Sequence, residues 1–203
     1  MPKPDSAAAG QETGNSTAPA DANRALAETI ANKILELVDL GKTMPIVLID
    51  GRSNSGKSTL AATVQNLVFK NGESAPRVIH MDDIYPGWNG LDAGADYMQR
   101  FILNPLANQR TANWQEYNWA TGERETWREF SGGTPLIIEG CGSLNHLSAE
   151  LADIKIWLEV DQETRHQRWL EREGSNDHWA EWAAQEEDFY AREKSAELAD
   201  DFI

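Results

Sequence analysis

Residues 46–60 read IVLIDGRSNSGKSTL. A short, almost fully apolar run ends in an acid and a glycine, and a stretch of polar residues follows. The chain then restarts as glycine, lysine, serine and a helix-like segment. Gly51-Arg52-Ser53-Asn54-Ser55-Gly56-Lys57-Ser58 fits G-x-x-x-x-G-K-[S/T] in full. Glycines at the two ends of such a loop permit backbone angles that a side chain would block, so successive N–H groups can turn inward around an anion. Lys57 stands where it would open a helix and reach the β- and γ-phosphates of a nucleotide. Ser58 offers a hydroxyl to Mg²⁺, and the helix N-terminus adds partial positive charge. Ser53, Asn54, Ser55, Gly56 and Thr59 complete the expected phosphate cradle. Arg52 reads equally well as a solvated loop charge or as a nucleotide contact. The context agrees with the pattern, since a buried strand is expected before the loop and a helix after it.

The 203 residues carry a formal charge of −15 and a pI near 4.6. A nucleic-acid polymer would be repelled by the average field of such a surface, so none is expected as a partner. Any anionic ligand must instead be held by a local concentration of positive groups. No apolar run approaches the roughly 18 residues that cross a bilayer, and no basic-then-apolar leader is seen, so a cytoplasmic location away from membranes is the default expectation. The single cysteine, Cys141, excludes an intramolecular disulfide and reads as a buried, inert thiol. The four histidines have no metal-ligand spacing.

Working outward, residues 1–21 are poor in large apolar side chains and are expected to form a disordered tail ahead of one domain over 22–203. Ala22 to Leu40 has helical periodicity with Gly41 as its stop, and Lys57 to Lys70 is a second helix. Arg77 to Met81, Pro135 to Glu139 and Ile154 to Val160 read as further buried strands. Residues 93–103 look helical until Asn104-Pro105 interrupts them. Residues 113–130 alternate as a hairpin about Thr121-Gly122. Gln162 to Glu173 and His178 to Leu198 look helical, and a last strand is starting at the final residues. Apolar strands separated by helices predict βαβ units. The fold class expected is α/β, a three-layer sandwich with a parallel sheet of about five strands and helices on both faces.

Three other stretches bear on chemistry. His80-Met81-Asp82-Asp83 puts two carboxylates at the carboxyl end of a strand, where open α/β sheets bind ligands. A carboxylate there accepts a proton from an attacking hydroxyl or holds Mg²⁺ through water; acids capping the next segment are the plainer reading. Arg165, Arg168 and Arg172 recur three and four apart and so share one helical face. Phosphates in need of charge neutralisation explain them better than an amphipathic helix salted with glutamates. Glu139, at the end of PLIIEG, stands where an acid would hold the water shell of a metal, or where a strand-end acid would face solvent.

Together these residues resemble the uridine kinase and phosphoribulokinase branch of the P-loop kinases. The counterparts are GRSNSGKS, Asp82-Asp83-Ile84-Tyr85, Tyr117-Asn118-Trp119, Ile138-Glu139-Gly140 and the run from Asp161 to Glu173, in order over about two-thirds of the chain. The resemblance implies the P-loop fold with ATP and Mg²⁺ as cofactors, Asp82 as general base, and Ser58, Asp82 and Glu139 around the metal. It implies an acceptor side formed by Asp83, Tyr85 and the hairpin residues Tyr117, Asn118 and Trp119. It also implies a lid over 161–176 whose Arg165, Arg168 and Arg172 close over the phosphates. Asn118 replaces an aspartate that grips sugar hydroxyls in the family, and Trp169 replaces a lid arginine, so the likeness does not extend to naming the acceptor. The Trp-rich tail helix lies outside the family pattern, and its aromatics, like those of the hairpin, are expected to serve packing. The expected function is transfer of the γ-phosphate of ATP to a hydroxyl of a small nucleoside- or sugar-like molecule. The alternative is an ATP-binding regulatory or assembly protein without an acceptor. No N-K-x-D follows the loop to select guanine, and the sequence leaves a homodimer open.

Overall fold

The protein is described by a computed structural model over residues 17–202. Residues 1–16, most of the expected tail, lie outside the described residues. The remainder of that segment, 17–21, belongs instead to the first helix, α1 (Thr17–Asp39). Alanine is the strongest helix former, and Ala18, Ala20 and Ala22 fall in the part of α1 that precedes Leu26, which is buried.

The apolar run at 46–50 becomes strand β1 (Ile46–Asp50), buried at every position. The loop follows, then α2 (Lys57–Lys70), β2 (Arg77–His80) and a single 3₁₀ turn over Met81–Asp83. Helix α3 (Leu91–Met98) runs on through a π turn, Gln99–Leu103, into α4 (Asn104–Ala107). The expected interruption at Pro105 therefore does not occur. The wide turn shifts the hydrogen bonding, with Asn104 N–H reaching Gln99 O, so the N–H that proline lacks is not needed. The hairpin is β3 (Ala112–Asn118) against β4 (Glu123–Phe130), antiparallel with an irregularity between Glu116 and Tyr117. Then come β5 (Leu136–Glu139), α5 (His146–Ala149), β6 (Ile154–Trp157), α6 (Gln162–Glu173), α7 (Trp179–Glu193), α8 (Ser195–Leu198) and the two-residue β7 (Asp201–Phe202). The helix expected over 178–198 breaks at Lys194, which takes a left-handed φ of 55°.

Five strands form one parallel sheet in the order β2-β5-β1-β6-β7. Side-chain alternation builds two cores from it. Val47, Ile49, Ile137, Ile154 and Ile156 face α1 and α2. Ile46, Leu48, Leu136, Ile138 and Trp157 face the α3–α4 run and α7. The result is the three-layer α/β sandwich. The chain reverses strand order at β1, between β5 and β6, and ligands of such sheets bind outside the carboxyl ends of the strands at that point. Among the described residues no helix is long and apolar enough to cross a membrane.

Candidate active site

The phosphate loop is folded as its glycines require. Gly51 takes φ 143°, and a Cβ there would lie 2.3 Å from the Leu158 carbonyl oxygen. Gly56 takes φ 102° immediately before α2, and a Cβ would meet nothing within 4 Å, because that side of the residue opens on the cleft. Asn54 is left-handed without being glycine, at φ 61°, a conformation asparagine tolerates better than most residues. The Asn54 Nδ2 and Ser53 Oγ atoms are buried without a hydrogen-bond partner. Buried polar atoms are ordinarily satisfied, so a loop carrying two unmatched ones is suited to an oxygen-rich ligand.

Lys57 is buried, and its Nζ donates to Gly51 O and Arg52 O at 2.8 Å each, 3.7 Å from Cys141 Sγ. Burial works to discharge it. The Cys141 sulfur and the carboxylates of Glu139, Asp50 and Glu186 more than offset that, and its pKa lies above the ordinary lysine value. Ser58 Oγ donates to Glu139 Oε1 at 2.9 Å, and His80 Nδ1 meets the same oxygen at 2.5 Å. The bond to Glu139 raises the His80 pKa. The hydroxyl and the strand-end acid assigned to a metal from the sequence thus converge. Among the described residues no group of three or more His, Cys, Asp or Glu side chains is arranged to hold a metal alone. The donor set fits Mg²⁺, which keeps waters and takes oxygens from phosphates beside one or two carboxylates.

These groups line a cleft of about 970 Å³ that takes in Ser53 to Thr59, Asp82, Glu139, Arg168 and Arg172. Five basic side chains, Arg24, Lys57, Lys70, Arg168 and Arg172, stand against two acids on its walls. Next to it lies a second cavity of about 380 Å³, lined by Asp82, Asp83, Tyr85, Trp88, Trp119, Trp169, Arg172, Glu173 and Trp182. Asp82 and Arg172 border both. Solvent reaches Asp82 through the opening, but the surrounding protein and Glu139 push its pKa up, while Arg172, Lys57 and His80 pull the other way.

Not every residue singled out from sequence joins this site. Arg168 donates to Asn54 O at 2.9 Å, so it reaches the phosphate loop directly. Arg165, expected beside it over the phosphates, is buried one turn earlier in α6. Its Nε donates to Val160 O at 3.0 Å, and its guanidinium lies 3.7 Å from Glu186. That first turn packs against the protein, whereas the next two project over the cleft. Asp83, Tyr85 and Trp119 line the second cavity; Tyr117 and Asn118 do not. Tyr117 buttresses Trp119 edge-on at 5.5 Å. Asn118 shapes the hairpin turn, accepting from Ala120 N at 2.9 Å and donating to Glu125 at 2.8 Å.

Helix α7, left aside by sequence reasoning as packing, contributes most of what was missed. Its Glu186, fully buried, accepts from Ser53 N at 2.6 Å and from Trp182 Nε1 at 3.0 Å, and so braces the phosphate loop. Its Tyr190 hydroxyl donates to Asp50 at 2.7 Å. Asp50 also accepts the N–H groups of Gly51, Gly142 and Leu144, and burial raises its carboxyl to about 6 against the pull of those bonds. An acid placed four residues after Trp182 on an otherwise apolar helical face was the available signal for Glu186. Trp88 had none, being one aromatic in a loop.

No family model matches the sequence, and no curated protein does. Solved structures do. The chain is similar to a possible uridine kinase of Bacillus stearothermophilus, with a TM-score of 0.53 and 19% identity over 86% of this chain and 99% of that one. It is also similar to a protein of Silicibacter sp. TM1040 provisionally designated a fructose transport system kinase, with a TM-score of 0.63 and 22% identity over 87% of this chain and 98% of that one. At such identities the likeness is one of fold.

Proposed function

We propose, from a P-loop kinase fold and the two joined cavities, that this chain is an ATP-dependent phosphotransferase acting on a hydroxyl of a small molecule. The observation that carries the reading is the position of Asp82. It stands where the phosphate cleft meets the second cavity, and a regulatory nucleotide-binding module would have no use for an acceptor pocket there.

In this reading the N–H groups of Asn54 and of residues 56–59 and the Lys57 ammonium bind the β- and γ-phosphates, and Ser58 with Glu139 would hold Mg²⁺. The metal, when bound, supplies charge neutralisation between the phosphates. The chain's own residues do the rest. Asp82 orients the acceptor hydroxyl and accepts its proton as the new oxygen–phosphorus bond forms and the bond to the leaving ADP oxygen breaks. Arg168 and Arg172 offset charge on the migrating group. Arg165 does not take part at that point; through Glu186 it ties the lid helix α6 to the loop. Trp88, Trp119 and Trp182 exclude water from the acceptor side.

The test is a panel of small alcohols assayed for ADP release with ATP and Mg²⁺, beside binding of a non-hydrolysable ATP analogue. Lys57→Ala is expected to lose analogue binding. Asp82→Asn is expected to keep it while transfer falls by about a hundredfold or more, the usual worth of a general base. Analogue binding with slow acceptor-independent hydrolysis across the panel would favour the regulatory reading, and full turnover by Asp82→Asn would remove Asp82 as the base.

A further inference from the structure

The second cavity is walled by four tryptophans and a tyrosine, and its charged groups are unevenly matched. Trp88 is the centre of the wall. Trp119, Trp169 and Trp182 lie 4.9, 5.6 and 6.4 Å from it, each tilted by more than 50°. His178 stacks on Trp88 at 4.6 Å and 10°. The Trp119 ring is held in place by its Nε1 donating to the Asp82 carbonyl at 2.8 Å. One cation already uses this wall, since the Arg172 guanidinium lies 5.6 Å from the Trp169 ring.

Three carboxylates, Asp82, Asp83 and Glu173, face one basic side chain, Arg172. Glu173 is matched, for it accepts from Arg172 Nε at 2.7 Å. Asp82 serves the acceptor hydroxyl in the reading above. Asp83 is left over. Two cations whose charge reaches it are engaged elsewhere, Arg128 by Glu116 at 2.8 Å and His80 by Glu139, and its own side chain makes no hydrogen bond or ion pair among the described residues.

A ligand filling the pocket removes water from Asp83. A neutral ring or a sugar would cover the cavity side of that exposed carboxylate and offer no charge in return for the water displaced, an unfavourable exchange. A weakly hydrated cation on the indole faces would compensate it, gaining from the ring quadrupoles and from the carboxylate together. Asn118, the residue that by resemblance would meet sugar hydroxyls, is occupied in the hairpin turn. We propose that the acceptor is a cationic alcohol, its reacting hydroxyl at Asp82 and its other end an alkylated or aromatic nitrogen cation held by Trp88, Trp119 and Asp83. The fate of the hydroxyl rests on the phosphotransferase reading; recognition of the cation does not.

Two probes of one shape separate charge from fit: N-(2-hydroxyethyl)pyridinium and the neutral 2-phenylethanol. Titration calorimetry on the full chain is expected to give the pyridinium alcohol about tenfold tighter binding. Asp83→Asn, a substitution at an exposed side chain, is expected to abolish that advantage while leaving 2-phenylethanol unchanged, and Trp119→Ala to weaken both. Equal affinities, no binding of the cation, or a ratio untouched by Asp83→Asn overturns the proposal. ADP release with ATP and Mg²⁺ then parts the two readings. Cation binding with no transfer to any alcohol of the panel keeps recognition of the cation and sinks the phosphotransferase. Turnover of uridine or a sugar in preference to cationic alcohols keeps the phosphotransferase and sinks this inference.

Discussion

Asp82 shows how one carboxylate is tuned by what surrounds it. In the proposed role of base it works only when deprotonated, and its raised pKa means that rate would be lost as pH falls through a value above that of an ordinary aspartate. Arg172 is the strongest group holding that pKa down. Arg172→Ala is therefore expected to move the acid limb of the kcat/KM profile to higher pH, in addition to lowering the rate; an unmoved limb would show that another group sets it. Gly51 is a constraint of a different kind. A methyl group there meets a backbone carbonyl that no rotamer change can clear, on a φ that L-residues avoid. Gly51→Ala is expected to cost about 3 kcal/mol in urea denaturation and to weaken analogue binding with it. A stable Gly51→Ala protein that still binds the analogue would mean that the loop can fold otherwise.

Between elements, Asp50 is the junction. It joins the end of β1 to the segment after β5 and, through Tyr190, to α7. Asp50→Ala leaves the N–H groups of Gly51 and Leu144 without that acceptor and reduces Gly142 N–H and the Tyr190 hydroxyl to bonds of 3.3 Å each, and a loss of about 3–5 kcal/mol is expected by urea denaturation. The sign of its pH dependence follows from the folded pKa of about 6 lying above the unfolded value of 3.8. Its contribution is fully present below the unfolded value and is lost as pH rises through 6, a span of about 3 kcal/mol. The difference in stability between wild type and Asp50→Ala is accordingly expected to shrink from pH 4 to pH 8, and a constant difference would contradict the shift. The same junction explains what could be read from sequence. The phosphate loop, the strands and the hairpin are local patterns, each carried by a few neighbouring residues. The cleft positions of Asp82 and Glu139 are legible because the two acids close or follow strands, and that of Arg168 because it shares a helical face with Arg172. Glu186 and Tyr190 act on the loop from more than 130 residues away. No spacing encodes that contact, nor the one that draws Arg165 toward Glu186.

Across the whole molecule two fields would compete for the triphosphate of the proposed reading. The chain carries −15 overall, whereas the cleft walls hold five basic groups against two acidic. Screening decides which is felt. At ionic strength of about 10 mM the Debye length is roughly 30 Å, comparable with the protein itself, so an anion far from the surface meets the net negative charge. Near 150 mM it falls to about 8 Å, and only the cleft's own cations act on an anion at its mouth. The association rate of a fluorescent triphosphate analogue, followed by stopped flow, is therefore expected to rise severalfold over that range, opposite to the usual salt dependence of anion binding. The dissociation rate should change far less, because Lys57 is buried and its charge is little screened. Arg24→Gln together with Lys70→Gln, changes at the rim rather than in the loop, should lower the rate at 150 mM more than at 10 mM. A rate that falls with salt from the outset would mean that the positive cleft outweighs the acidic surface even at long range.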